Sequence, residues 1–160
     1  MEKEITEVYC GNGRGKTTLA IGQALRASSQ GKSVIIIQFL KGNERRELDF
    51  LEELDQLDIK IFRFEKMETC YDQLNEEEQV EEERNILNGL NFARKVIATQ
   101  ECDFLVLDEI LGLLDKHIAT VDMVVGLLKQ KDESMHLILT GNRVDPGILD
   151  YVDSVTTITT

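Results

Sequence analysis

Residues 11–18 read Gly-Asn-Gly-Arg-Gly-Lys-Thr-Thr, directly after a short apolar strand pattern and directly before a helical one. A strand–loop–helix unit of this kind predicts an α/β fold. Glycines let backbone N–H groups approach an oligophosphate, a threonine hydroxyl can bind Mg²⁺, and the helix directs its N-terminal dipole at the anion. The segment therefore predicts a nucleotide-phosphate site formed by Gly11, Asn12, Gly13, Arg14, Gly15, Lys16, Thr17 and Thr18.

The spacing of the loop differs from the common pattern G-x-x-x-x-G-K-[ST], which would place a glycine at position 10. This chain has Cys10 there, and its first glycine is Gly11, so the loop is effectively one residue shorter. A glycine-rich turn can also join a strand to a helix without binding any ligand. Three glycines followed by Lys-Thr-Thr favour the phosphate site over that alternative.

Length and charge limit the class of protein. The 160 residues predict a single domain over 1–160, and the net charge of −12 argues against a nucleic-acid-binding surface. A local cluster of N–H groups, a lysine and Mg²⁺ can still bind ATP. No apolar run is long enough to cross a membrane and no secretory signal opens the sequence, so we expect a cytoplasmic protein without membrane contact.

Strand and helix patterns alternate along the chain. The predicted strands are 5–10, 33–40, 59–64, 104–108, 135–140 and 154–159. The predicted helices are 16–29, 44–57, 76–99, 120–131 and 146–152. This order predicts an α/β fold with a mostly parallel, doubly wound sheet of five to six strands, helices on both faces and the P-loop (RecA-type) nucleotide-binding architecture.

The longest predicted helix, 76–99, begins with an acidic run. Residues 76–83 contain six glutamates, which we expect to form a solvated helix face. Asn75 is the expected N-cap. The apolar side is predicted to contain Val80, Leu87, Leu90 and Ile97.

A second polar segment follows the predicted strand 104–108, where Asp108 and Glu109 come after four apolar residues. A carboxylate at this position can hold Mg²⁺ directly or through water, opposite Thr17. Either acid alone can instead cap the next segment. Because parallel strands end at one edge of the sheet, we expect this pair to lie near residues 11–18.

Basic side chains at the same predicted edge leave two alternatives open. Lys41 follows the second strand and Arg143 follows the fifth, and for each a solvated position competes with a phosphate or substrate contact. Arg26 lies ten residues after Lys16 on the first helix. It can reach back toward phosphate or form a surface ion pair.

Several segments together resemble the ATP:corrinoid adenosyltransferases. They are GNGRGKTT, VIIIQFLKG at 34–42, FLVLDEI at 104–110 and LILTGNRVDPGILDYVDSV at 137–155, so that the resemblance spans nearly the whole chain. It implies an enzyme that binds MgATP and a corrinoid with reduced cobalt. The cobalt attacks the 5′-carbon of the ribose, and triphosphate leaves.

The resemblance also implies roles for residues. Residues 11–18 contact the phosphates, with Arg26 as a further candidate. Lys16, Thr17 and Glu109 are the expected catalytic residues; Thr17 and Glu109 bind Mg²⁺, and Asp108 acts beside them or through water. The resemblance further implies a homodimer and a reductant protein as partners.

Three departures from the family pattern keep alternatives open. Residues 66–73, comparable to a Phe/Trp-rich segment beside the corrinoid, carry only Tyr71 as an aromatic residue, and the chain has no Trp. Family members usually continue past the last strand with a His-Pro segment, whereas this sequence ends at Thr160. The usual Thr-Gly-Arg is Thr-Gly-Asn-Arg here. The alternatives are an ATP- or corrinoid-binding module with little transferase activity, or an unrelated P-loop ATPase.

Overall fold

A six-stranded, wholly parallel sheet forms the centre of the protein in the computed structural model, which describes residues 3–40, 51, 53–54 and 56–160. The strands are β1 (Thr6–Cys10), β2 (Val34–Gln38), β3 (Ile59–Arg63), β4 (Phe104–Asp108), β5 (His136–Thr140) and β6 (Ser154–Thr157). Their order across the sheet is β3-β2-β4-β5-β1-β6. The predicted α/β class and strand number are confirmed.

Helices cover both faces of this sheet. They are α1 (Lys16–Ser29), α2 (Glu76–Thr99), α3 (Gly112–Asp115), α4 (Val121–Gln130) and α5 (Pro146–Leu149). A short 3₁₀ turn lies at Tyr71–Gln73. None of the helices in the described part of the chain is both long and apolar enough to cross a bilayer.

The two cores on either side of the sheet follow from the alternation of side chains along each strand. In β2, Ile35 and Ile37 join the core beneath α2 to α5, whereas Val34 and Ile36 join the core beneath α1. All five residues of β2 are buried, as are all five of β4. This double burial explains why each strand is a continuous apolar run up to its last residue, Gln38 in β2 and Asp108 in β4.

The N-terminus of α2 is fixed by a capping box. The Asn75 side chain accepts a hydrogen bond from the Glu78 N–H, and the Glu78 carboxylate accepts one from the Asn75 N–H.

Gly89 lies in the middle of α2, and a Cβ added to it would lie 3.1 Å from the rings of Phe39 and Phe64. The glycine therefore lets α2 approach the sheet closely.

The predicted apolar side of α2 is wrong in part. Val80 is 57% exposed and Leu87 is 37% exposed, while Leu90 and Ile97 are buried as expected. The acidic run also departs from prediction, because Glu82 is only 1% exposed. Hydrogen bonding to Glu82 makes a polar residue acceptable on the inner face, as shown below.

Other differences concern the ends of elements and the segments between them. α3 and the 3₁₀ turn were not predicted, and α5 ends at Leu149 rather than at residue 152. β2 ends at Gln38, two residues earlier than predicted. The predicted helix 44–57 lies largely outside the described residues.

Candidate functional site

The phosphate loop and the acidic pair both lie at the carboxyl edge of the sheet. The register pairs Gln38 at the end of β2 with Asp108 at the end of β4, and β4 runs beside β5, which ends at Thr140. The loop after β1 opens at the same edge, because β1 pairs in parallel with β5. The topology thus brings together three strand ends and the start of α1.

The phosphate loop packs against the segment that follows β6. Gly11 adopts φ 110°, and its N–H donates to the Asn142 carbonyl at 2.9 Å. A Cβ on Gly11 would lie 2.1 Å from the Ile158 carbonyl oxygen. The Gly13 N–H donates to that same oxygen at 2.8 Å. Two glycines are therefore needed for close backbone contact as well as for the turn.

The contact with Ile158 changes which N–H groups of the loop are open to phosphate. The Gly13 N–H was predicted to face phosphate, but it is occupied by Ile158. The open donors lie at the start of α1 instead. Gly15, at φ 102°, is the N-cap and provides no side-chain cap, and the first intrahelical bond runs from the Leu19 N–H to the Gly15 carbonyl. The N–H groups of Lys16, Thr17 and Thr18 thus point out of the helix end.

Lys16 folds back over the loop. Its Nζ donates to the carbonyl oxygens of Gly11 and Gly13 at 2.8 and 2.9 Å. The ammonium group is therefore held over the turn, close to the open N–H groups of α1. This placement puts a positive charge where an anion would meet the helix dipole.

Asp108 is the centre of the polar network and is completely buried. Its Oδ1 accepts hydrogen bonds from the hydroxyls of Thr17 at 2.8 Å and Thr140 at 2.7 Å. Its Oδ2 accepts from Gln38 Nε2 at 3.2 Å, and the Gln38 carbonyl accepts from Arg63 Nε at 2.8 Å. Asp108 is thus tied to α1 and to two neighbouring strands.

Glu109, the residue after β4, has a left-handed backbone conformation with φ 66°, so the chain leaves the direction of the strand there. Its N–H donates to Thr140 Oγ1 at 2.8 Å, so one hydroxyl fixes both acidic residues. Glu109 lines a cavity of about 410 Å³ that also reaches Asn142, the residue whose carbonyl accepts the Gly11 N–H. The other lining residues are Leu40, Cys70, Tyr71, Asp72, Gly112, Asp115, Lys116 and Asn142.

The outer wall of this cavity is the 3₁₀ turn. Lys116 Nζ contacts both Asp72 carboxylate oxygens, at 2.7 and 2.6 Å, and so joins the turn to the segment after α3. The Tyr71 hydroxyl donates to the Glu83 carboxylate. Burial and, second, this hydrogen bond raise the pKa of Tyr71 to about 12.

Two of the basic candidates are exposed side chains, those of Arg26 and Arg143. Arg26 lies exposed in the last turn of α1, about 15 Å along the helix axis from Lys16. Arg143 is 79% exposed and pairs with Asp115 at 2.9 Å, an interaction that raises the arginine pKa. Lys41 lies outside the described residues. Among loop residues 11–18, the exposed ones are Asn12, Arg14, Gly15 and Thr18.

Sequence reasoning missed two features that build the site. Ile158, which follows β6, accepts the hydrogen bond from Gly13 in the loop, and no local sequence pattern signals a contact of that kind. Thr140 joins both acidic residues; its position at the end of a buried strand, beside Gly141, was the available signal. Among the described residues, no cluster of three or more histidine, cysteine or acidic side chains forms a metal site of protein ligands alone.

Comparison with known proteins agrees with this geometry. The model of the family described as "ATP:corrinoid adenosyltransferase BtuR/CobO/CobP" matches residues 2–160. The chain belongs to the ATP:corrinoid adenosyltransferase family. It is 31% identical over 159 residues to the corrinoid adenosyltransferase of Escherichia coli (strain K12), covering 96% of this chain and 76% of that protein. The corresponding enzyme of Salmonella typhimurium (strain LT2) is 29% identical over 157 residues, with the same two coverages.

The fold of this adenosyltransferase-family chain also has a counterpart among solved structures. A KaiC-like protein from the archaeon Pyrococcus horikoshii OT3 superposes with a TM-score of 0.66 at 19% identity. The match covers 98% of this chain and 72% of that one. The likeness confirms the predicted P-loop (RecA-type) architecture.

Proposed function

We propose that the protein transfers the 5′-deoxyadenosyl group of ATP to the reduced cobalt of a corrinoid and releases triphosphate. The observation that carries this proposal is the juxtaposition of a phosphate loop and a 410 Å³ cavity at one sheet edge. The family match over residues 2–160 favours this function over that of an unrelated P-loop ATPase.

The chain's own groups supply what the leaving triphosphate needs. Cobalt provides the electron pair for the new bond to C5′, and the pair of the broken C5′–O bond leaves with the triphosphate. Negative charge therefore builds up on the phosphate side. The open N–H groups of α1 and the Lys16 ammonium face that position and stabilise the charge electrostatically. No side-chain nucleophile is needed.

The residues present also fit Mg²⁺. The Thr17 hydroxyl and the Asp108 carboxylate are oxygen donors 2.8 Å apart, and Mg²⁺ is commonly held by one or two such groups together with substrate phosphates and water. In our proposal these two residues hold the ion, with Glu109 beside them, and the ion neutralises charge on the phosphates. The resemblance implies that Glu109 binds Mg²⁺ with Thr17 and that Asp108 acts beside them or through water. We propose the opposite roles for the two acids, because Asp108 is the one that accepts the hydrogen bond from Thr17.

We place the corrinoid at the cavity lined by Glu109 and Tyr71. Its wall includes Tyr71 and Asp72, from the segment predicted to lie beside the corrinoid. In this arrangement the cobalt approaches C5′ from the cavity side while the triphosphate stays on the loop. Separate sites for the two substrates also make their affinities separable by mutation.

Product analysis is the deciding experiment. The purified protein is supplied with MgATP and chemically reduced cobalamin, and both the adenosylated corrinoid and the phosphate product are measured. Triphosphate in equal amount to adenosylcobalamin supports the proposal. ATP binding without either product would support a binding module, and ADP would identify an ATPase.

Three further aspects belong to the same proposal. We infer a cytoplasmic location, where ATP is abundant. A homodimer and a reductant protein that supplies the low-valent cobalt complete the proposed system. Sedimentation analysis and reconstitution with a flavin reductant test these two points.

A further inference from the structure

We propose that Glu82 is a positioning residue that sets the affinity for the corrinoid by fixing the segment that forms the cavity wall. This inference rests on the proposed function, because it assigns the cavity to the corrinoid. Glu82 lies in the acidic run of α2 and contacts none of the phosphate-loop residues. Its effect would reach the substrate through the backbone of residues 65–73.

Glu82 is a buried carboxylate with backbone partners. It is 1% exposed, and its oxygens accept hydrogen bonds from the N–H groups of Lys66 at 3.0 Å and Met67 at 3.2 Å. A third bond comes from Asn85 Nδ2 at 2.7 Å, one turn farther along the helix. All three donors are neutral, so the carboxylate compensates its loss of hydration only through this geometry.

A second buried carboxylate holds the same segment from the other side. Glu65 is 8% exposed and accepts a hydrogen bond from the N–H of Leu40, just beyond β2. Leu40 has φ 61° and itself lines the cavity. We call Glu65 and Glu82 the carboxylate clamp, since they join residues 65–67 to the end of β2 and to α2.

The clamp continues directly into the cavity wall. Three residues past Met67 come Cys70, Tyr71 and Asp72, which line the cavity. Gln79, also on α2, donates from Nε2 to the Tyr71 carbonyl at 3.0 Å, and Glu83 accepts the Tyr71 hydroxyl. One face of α2 thus holds Lys66, Met67 and Tyr71. Of the three helix residues that make these contacts, Gln79, Glu82 and Glu83, Glu82 is the most buried.

Loss of a hydrogen bond to Glu82 should affect the cavity wall and not the phosphate loop. Removing one acceptor from Glu82 leaves the N–H of Lys66 or Met67 without its partner, which is unfavourable as long as the segment stays in place. The segment relieves this cost by moving, and the wall moves with it. The phosphate loop is held by Ile158 and Asn142 instead, so ATP affinity is independent of the clamp.

The test compares Glu82→Gln with Glu81→Gln, which changes an exposed glutamate next to it on α2. Steady-state kinetics are measured against reduced cobalamin at saturating MgATP and against MgATP at saturating cobalamin. For Glu82→Gln we expect the KM for cobalamin to rise about five- to tenfold, consistent with the loss of one buried hydrogen bond. The KM for ATP stays within about twofold, and Glu81→Gln behaves as wild type.

Hydrogen exchange provides a readout that does not depend on turnover. Amides of residues 65–73 exchange faster in Glu82→Gln than in Glu81→Gln, and amides of residues 11–18 are unchanged. Glu65→Gln is the second variant, used if Glu82→Gln folds poorly, and the same split between the two KM values is expected of it.

Each result decides between the proposals. Wild-type protein without transfer activity overturns the proposed function, and with it the assignment of the wall to a corrinoid. Active wild type in which Glu82→Gln raises both KM values equally, or neither, overturns only the positioning role. Unchanged exchange in residues 65–73 overturns it as well.

Discussion

The Thr17 hydroxyl lies 2.8 Å from Asp108 Oδ1 and so connects the first turn of α1 to the end of β4. A serine at position 17 keeps the hydroxyl, whereas a valine keeps the shape and loses it. We expect Thr17→Val to lower kcat about 100-fold, in line with loss of one well-placed polar group at a developing charge, and Thr17→Ser to retain most activity. Titration of activity with Mg²⁺ at fixed ATP checks the assignment, since only the valine variant should need more metal.

Lys16 tests the phosphate site itself. Its ammonium contacts the carbonyls of Gly11 and Gly13 and so lies over the loop that leads into α1. We expect Lys16→Ala to abolish measurable ATP binding in calorimetry, with a loss of about 100-fold or more. Lys95→Ala, at an exposed position of α2, is the matched control. Wild-type affinity in the Lys16 variant would exclude residues 11–18 as the nucleotide site.

Substitution of either of two glycines by alanine should change the free energy of unfolding, in opposite directions because one glycine is crowded and the other is not. Gly11→Ala would force a Cβ to 2.1 Å from the Ile158 oxygen at φ 110°, and we expect it to lower the free energy of unfolding by about 3 kcal/mol. Gly22 lies in α1 with no atom within 4 Å of an added Cβ. Gly22→Ala should raise the free energy of unfolding by about 0.5–1 kcal/mol. Urea denaturation of both variants measures the difference; equal effects would contradict the close contact at Ile158.

Thiol reactivity tests the cavity wall. Cys70 is exposed and lines the cavity, whereas Cys10 and Cys102 are both 5% exposed. A colorimetric disulfide reagent should therefore modify one thiol rapidly in the native protein, and Cys70→Ser should remove that phase. We expect bound cobalamin to slow the reaction at Cys70 and MgATP alone to leave it nearly unchanged. Protection by ATP alone would place the nucleotide, and not the corrinoid, at this wall.

The buried thiol of Cys102 predicts a loss of stability in alkali. Burial raises its pKa from 9.0 to about 12, so the folded protein keeps a proton that the unfolded chain releases. The stabilisation is complete below the unfolded value and declines as pH rises from 9 toward 12. Unfolding free energies at about pH 8 and about pH 10.5 should show this decline, and Cys102→Ala should reduce its slope. Cys70→Ala is the control and should leave the slope unchanged.

Local patterns predicted the elements that the site depends on, because their physical causes are local. Residues 34–37 and 104–107 are apolar throughout, as strands buried on both faces must be, and residues 11–18 carry the phosphate loop. The place of Asp108 followed from parallel strand ends sharing one edge. Its exact role did not, since only the tertiary structure brings Thr140 and Gln38 to its oxygens.

The inner face of α2 shows why other parts of the structure could not be predicted from the sequence. Val80 and Leu87 are apolar and exposed, whereas Glu82 and Asn85 are polar and buried. Hydropathy alone assigns these four residues to the wrong sides. The burial of Glu82 depends on N–H groups of a loop that precedes the helix, and that loop has no periodic pattern from which its path could be predicted.

The contact between Gly11 and Ile158 also has a consequence for synthesis of the protein on the ribosome. The loop at residues 11–18 reaches its final shape against a segment that is added about 140 residues later. A nascent polypeptide lacking the stretch after β6 has no carbonyl to receive the Gly13 N–H. Competence to capture ATP should therefore arise only once the stretch after β6 has left the ribosome, and not gradually as the earlier strands emerge.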